Sequence, residues 1–141
     1  MTWRHSLAPL LAAALATMDI IEREGLANAT HVGGLMLERL AGWTTSHPLV
    51  GDVRGRGLMI GIELVKDKAT REPVAALRNR VEVLAFERGL MILGCGETSI
   101  RLCPPLIVNE HEAMIALDIL EEALSEVEKE HAQASLEAVT A

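Results

Sequence analysis

The sequence predicts an α+β fold, a small sheet covered on one face by helices, and three observations predict it. Apolar residues recur at helical spacing near both ends of the chain and once in its middle. Residues 58–65 alternate at period two, as a strand with one apolar face does. Two short apolar runs, 90–93 and 100–103, flank a glycine-bearing loop. The chain has 141 residues, half of them apolar, which is the size range of one domain able to bury a core. The expected organisation is a single domain over residues 1–131, followed by a small, polar tail, 132–141, that frays.

Ser6 is the expected N-cap of a first helix over residues 7–24, with Pro9 tolerated in its first turn and Gly25 as its stop. A second helix, 27–41, carries Val32, Leu35, Met36 and Leu40 on one face. Gly33-Gly34 costs that helix about 1 kcal/mol per residue against alanine. Either another backbone approaches closely there or the helix is locally loose. His47-Pro48 ends the helical region, since the residue before proline is pushed out of the α basin. In the strand that follows, Leu58, Ile60, Ile62 and Leu64 alternate with Met59, Gly61, Glu63 and Val65. Gly51, Gly55 and Gly57 just before it imply a bent or closely packed backbone.

Residues 67–72 form a charged turn, and after Pro73 a third helix turns Leu77, Val81, Leu84 and Ala85 inward and stops at Gly89. The two short strands are joined by Gly94-Cys95-Gly96-Glu97-Thr98 and closed by Pro104-Pro105. The last helix opens with a capping box, Asn109 with Glu112 three residues on. Its apolar stripe is Ala113, Ala116, Leu117, Leu120, Leu124 and Val127, and its other face is acidic.

A net charge of −7 with scattered basic residues argues against nucleic acid as a partner, because a phosphate-binding face needs clustered Lys and Arg. Tyrosine is absent and Phe86 is the only phenylalanine, so base-stacking platforms are not expected. The richest apolar run, residues 7–16, is shorter than the roughly 18 residues needed to span a bilayer, and no membrane partner is expected. Arg4 ahead of that run imitates a secretory signal. The run continues, however, through Met18, Ile20 and Ile21 into Glu22-Arg23-Glu24, which suits a helix better than a cleavage site. Two cysteines, Cys95 and Cys103, make neither a disulfide framework nor a metal-ligand spacing, and a cytoplasmic setting is the default. In such a setting the sequon at Asn28-Ala29-Thr30 carries no meaning.

Gly55-Arg56-Gly57-Leu58-Met59-Ile60-Gly61 has the wrong glycine spacing for a dinucleotide loop and enters a strand instead of leaving one. His5, His31, His47, His111 and His131 each stand without a second ligand at helical or strand spacing, so no metal is expected. Ser6 beside His5 is not evidence of a catalytic pair, which is recognised by geometry. Cys95 reads as a small residue in a tight turn. Arg101 is the candidate worth most: a charge set between Ile100 and Leu102 on a short, largely buried strand needs a partner or a ligand. A guanidinium clamps a carboxylate through two parallel hydrogen bonds. An internal salt bridge with Glu63 or a helix carboxylate is the competing role.

Four stretches stand in one order. Ala12-Ala13-Ala14-Leu15-Ala16-Thr17-Met18-Asp19-Ile20-Ile21 comes first, and Gly51-Asp52-Val53-Arg54-Gly55-Arg56-Gly57-Leu58-Met59-Ile60-Gly61-Ile62-Glu63-Leu64 second. Phe86-Glu87-Arg88-Gly89-Leu90 and Ile100-Arg101-Leu102-Cys103-Pro104-Pro105-Leu106 follow. Over residues 8–130 the set closely resembles the C-terminal part of class III aminotransferases, the pyridoxal-phosphate group containing 4-aminobutyrate and ornithine aminotransferases. The resemblance implies the small domain of fold-type I aminotransferases, with a mainly antiparallel sheet. It also implies that Arg101 binds the carboxylate of an amino-acid or 2-oxo-acid substrate, while Glu63 is structural. The loop before Arg101 resembles the archaeal-type branch of the family, although Glu97 stands where a basic residue is common there.

The same resemblance implies an incomplete catalyst. Of the three lysines, Lys66 and Lys68 lie in a charged turn and Lys129 on an acidic helix, so none suits a Schiff base, which needs a partly desolvated amine. No catalytic residue is expected within this chain, and pyridoxal phosphate is not expected to bind it covalently. The start of the chain departs from the family's threonine motif, so Thr2 is not equated with the residue that reaches the cofactor phosphate. Without the large domain the apolar faces of the first two helices should be exposed, and the chain should self-associate through them. Two other readings stay open. One is a free-standing, non-catalytic module that binds a small carboxylate or serves assembly. The other is a small enzyme with new chemistry in a cleft opened by truncation, for which His5, Cys95 and Arg101 are the first residues to test.

Overall fold

A computed structural model describes the backbone of residues 4–140 and the side chains of residues 7–137. Thr2 and the side chain of His5 lie outside the described residues. Helix α1 (Arg4–Ile20), a π-helical turn (Ile21–Gly25) and α2 (Leu26–Ala41) form one unbroken helical run. Gly25 keeps α-helical angles, φ −61° and ψ −41°, so the stop expected there does not occur. A glycine ends a helix by turning left-handed, and this one instead lies buried beside Leu106. Ser6 therefore stands inside α1, not at its cap, and Pro9 also lies within the helix.

Residues 7–20 of α1 are all exposed, whereas α2 buries Val32, Gly33, Met36 and Leu40. The apolar face expected to lie open on both helices is open on the first alone. Gly33 resolves the choice posed by the glycine pair. A methyl group on it would lie 2.2 Å from the carbonyl carbon and oxygen of Gly57, so α2 rests directly on the backbone of the hairpin turn. Gly57 itself has φ +56°, a conformation that favours glycine. A short helix, α3 (Trp43–Ser46), ends as expected at His47, whose backbone is extended.

The sheet has strands β1 (Val50–Arg56), β2 (Met59–Leu64), β3 (Leu93–Cys95) and β4 (Ser99–Leu102) in the order β1-β2-β4-β3, with every pairing antiparallel. Strand β1 was not expected; its three basic or acidic side chains and two glycines hide the alternation that marks a strand. The last two strands sit one to three residues away from the expected spans. Pairing of Ile62 with Ile100 and of Gly94 with Ile100 fixes their register, and Gly96, at φ +62°, makes the turn between them.

Helix α4 (Ala75–Glu87) buries Val81, Leu84 and Ala85, half-buries Leu77, and stops at Gly89 with φ +90°. Helix α5 (Glu110–Thr140) begins with the capping box: Glu112 N–H donates to Asn109 Oδ1 at 2.9 Å, and Asn109 N–H donates to Glu112 Oε2 at 3.1 Å. Its backbone stays helical through residues 132–140, and the side chains of 132–137 are exposed. Ile60, Ile62, Leu64, Ile100 and Leu102 face α2, α4 and α5 and pack with Met36, Leu40, Leu84, Leu117, Leu120 and Leu124. Each such side chain stabilises the fold by about 1.5–3 kcal/mol on burial. All the helical packing lies on this side, so the other face of the sheet is left open.

Candidate functional site

Because side chains alternate across a strand, the partners of the buried residues are committed to the open face. The strand register groups them into rows. Arg54, Gly61, Arg101 and Leu93 form one; Asp52, Glu63, Ser99 and Cys95 form the next; Arg56 faces Met59 at the hairpin end. Gly61 stands between Arg54 and Arg101 and contributes no side chain, so the floor between them is bare.

Arg101 is exposed on this face, while its flanking Ile100 and Leu102 point into the core. The expectation that its strand is largely buried is therefore corrected: burial alternates, and the arginine takes the solvent side. The internal salt bridge with Glu63 does not form. Glu63 Oε2 is held by Arg54 Nη1 at 2.8 Å, and the same nitrogen donates to Asp52 Oδ2 at 2.8 Å. Hydrogen bonds donated to these two carboxylates push the Arg54 guanidinium above its ordinary value, that to Asp52 contributing most. The side chains of Arg101 and Arg56 have no ion pair or hydrogen bond among the described residues.

Arg54, Arg56 and Arg101 line a shallow hollow of about 540 Å³ together with Gly55, Gly61, Ser99 and Cys95. No acidic side chain lines it. Arg101 also borders an apolar hollow of about 470 Å³ between the end of β4 and α5, walled by Met36, Leu90, Leu102, Pro105 and Leu117. The first hollow can hold an anion, and the second can take a small apolar group beside it. Sequence reading found Arg101 and missed Arg54 and Arg56. Their signal was the period of two around Gly55, concealed by reading the glycines as a bend.

Of the other candidates, Cys95 lines the same hollow, and the rest lie apart from it or are already engaged. Cys95 is exposed at the end of β3, in a strand and not in a loop, with Cys103 also exposed and free. His47 is buried against Trp43, with Nδ1 3.0 Å from Glu128 Oε2 and Nε2 3.6 Å from Glu121 Oε1. It fastens α3 to α5. His31 Nε2 lies 2.7 Å from Glu110 Oε1 at the surface. Among the described residues no group of three or more His, Cys, Asp or Glu side chains could hold a metal ion, and no helix is long and apolar enough to cross a membrane. Lys66 pairs with Glu72 at 3.3 Å in the turn, Lys68 donates to the Thr44 carbonyl at 2.6 Å, and Lys129 is exposed beside Glu122 and Glu126.

The profile of the Aminotransferase class-III family matches residues 8–124. A taurine–pyruvate aminotransferase of Bilophila wadsworthia is 43% identical over 129 residues, which cover 84% of this chain and 28% of that protein. A 4-aminobutyrate aminotransferase of Mycobacterium leprae is 42% identical over 118 residues, covering 82% of this chain and 26% of its own length. The solved omega transaminase of Pseudomonas jessenii in complex with PMP superposes with a TM-score of 0.80 at 33% identity, over 86% of this chain and 27% of that one. The chain thus spans about a quarter of the length of the relatives it matches.

Proposed function

The chain belongs to the class III aminotransferases, and from that membership we propose that it forms the small-domain part of a pyridoxal-phosphate enzyme moving an amino group between an amino acid or amine and a 2-oxo acid. Its own contribution is to hold the substrate carboxylate on Arg101. The observation that carries this reading is the exposed, unpaired guanidinium on an otherwise bare stretch of sheet. A two-pronged donor in that setting costs little to reorganise when a planar carboxylate arrives.

Cofactor attachment is a separate matter. A lysine that forms a Schiff base must be partly desolvated so that its neutral amine is accessible. The surroundings of Lys66, Lys68 and Lys129 supply carboxylates, a carbonyl and open water instead. These residues do not fit the family's cofactor, and no step through it is assigned to them. The proposal is accordingly that this chain by itself does not transfer amino groups. Titrating it with pyridoxal phosphate should give no saturable absorbance band beyond that of the free cofactor. A saturable band lost in Lys66→Ala, Lys68→Ala or Lys129→Ala would refute the proposal.

A second reading, a non-catalytic module that binds a small carboxylate or serves assembly, is favoured by one observation: the core closes within these residues, from α2 through α5. Under either reading the apolar side chains Leu7, Leu10, Leu11, Leu15 and Met18 of α1 call for a partner, and a second copy of the chain is the partner we propose.

A further inference from the structure

We propose that Arg56 supplies a second carboxylate site, so that the hollow on the open sheet face takes a dicarboxylate lying between Arg56 and Arg101. The inference rests on Arg101 as the carboxylate residue and adds the class of acid that it receives. Among the three arginines that line the hollow, Arg54 is occupied by Asp52 and Glu63, whereas Arg56 and Arg101 are unpaired. They stand on the same face, on strands that flank β2, and the register offsets them by two residues, since Arg56 faces Met59 and Arg101 faces Gly61. Strand spacing and rise alone put their Cα atoms roughly 12 Å apart. Two arginine side chains are long enough to narrow that gap to the span of a short diacid.

The ground between them favours such a bridge. Gly61 presents no side chain, and a Cβ there would touch nothing closer than 3.9 Å. Met59, which is 63% exposed, offers an apolar edge for the methylene groups of the linker. No carboxylate lines the hollow, and those of Asp52 and Glu63 on the same face are bonded to Arg54, so the unpaired guanidinium groups are the charges that a diacid meets first. Engagement of the second acid group is intramolecular once the first has bound, so the gain depends on linker length. That dependence separates a bridging site from a generally basic surface.

The test is an NMR titration of the amide signals of Gly55, Gly61 and Ser99 in the full chain with acetate, succinate, glutarate and inorganic phosphate. Succinate or glutarate should bind at least about tenfold more tightly than acetate. Arg56→Met should remove the advantage of the diacid over acetate, Arg56→Lys should restore part of it, and Arg101→Met should weaken every carboxylate. Acetate binding that depends on Arg101, with no advantage for either diacid, would overturn the role of Arg56 and leave that of Arg101 standing. Absence of binding by acetate and both diacids would overturn both. Phosphate binding more tightly than either diacid would show a single-anion site and overturn the bridge. The length series in the unsubstituted chain needs no variant, so a misfolded mutant leaves the decision intact.

Discussion

Gly33 and Gly34 sit side by side in α2 and should respond in opposite directions to the same change. A methyl group at Gly33 would fall 2.2 Å from the Gly57 backbone, which cannot rotate away as a side chain can; at Gly34 nothing lies within 4 Å. Gly33→Ala should lower stability by about 1–3 kcal/mol through overpacking, whereas Gly34→Ala should raise it by up to about 1 kcal/mol through helix propensity. Urea unfolding of the two variants reads the difference, and equal effects would contradict the close packing of α2 on the hairpin. The glycine pair was conspicuous in the sequence, but which member touches another backbone depends on residues 24 positions away. Local signals were legible by contrast: Asn109 and Glu112 cap α5 with bonds spanning three residues. Arg101 stood out as a lone charge between apolar neighbours. Arg54 and Arg56 did not, because their importance lies in which face of an unrecognised strand they share.

Elements whose pattern is carried by burial were readable, and those shaped by pairing were not. Strand β2 and helices α2, α4 and α5 each have one buried face, so their period survives in the sequence. Strand β1 lies at the sheet edge with its Arg54–Arg56 end exposed, and pairing with β2 holds it as a strand. The turn from β2 to α4 has its own stabiliser. Asp67 Oδ1 accepts hydrogen bonds from the backbone N–H groups of Thr70 and Ala69, at 2.8 and 2.9 Å, and these hold its carboxyl below the usual carboxylate range. A carboxyl that titrates lower in the folded chain than in the unfolded one stabilises the fold fully above its ordinary value, and the contribution disappears as pH falls through the lower folded value. Asp67→Asn keeps an acceptor and loses the charge. Its melting temperature should lie below that of the parent at pH 7 and converge with it in acid, below the ordinary carboxylate range. A gap that stays constant with pH would exclude the carboxylate as its source.

At the scale of the molecule, the chain combines a closed core with an open sheet face and an unpacked first helix. The α+β class followed from the sequence because helical and alternating periods occupy separate stretches, and the antiparallel sheet followed from the family resemblance. The course of the first helix did not, since continuity through Gly25 is decided by its contact with Leu106, 81 residues on. Leu11 and Leu15 are 63% and 67% exposed, and patches of this kind recruit partners. Light scattering coupled to size-exclusion chromatography should show dimers or larger species for the parent chain and a monomer for the Leu11→Glu, Leu15→Glu double variant. A monomeric parent at high concentration would count against self-association.

Helix α1 is about 25 Å long by its rise per residue and is attached at one end. Its continuity with α2 spares it a separate nucleation, but without packing each added residue gains little from propagation alone, so such a stretch frays in water. Its helicity must then be borrowed from whatever it meets. Hydrogen–deuterium exchange should find the amides of residues 10–20 exchanging fast in dilute solution and more slowly as concentration rises, while those of residues 30–40 remain slow at every dilution.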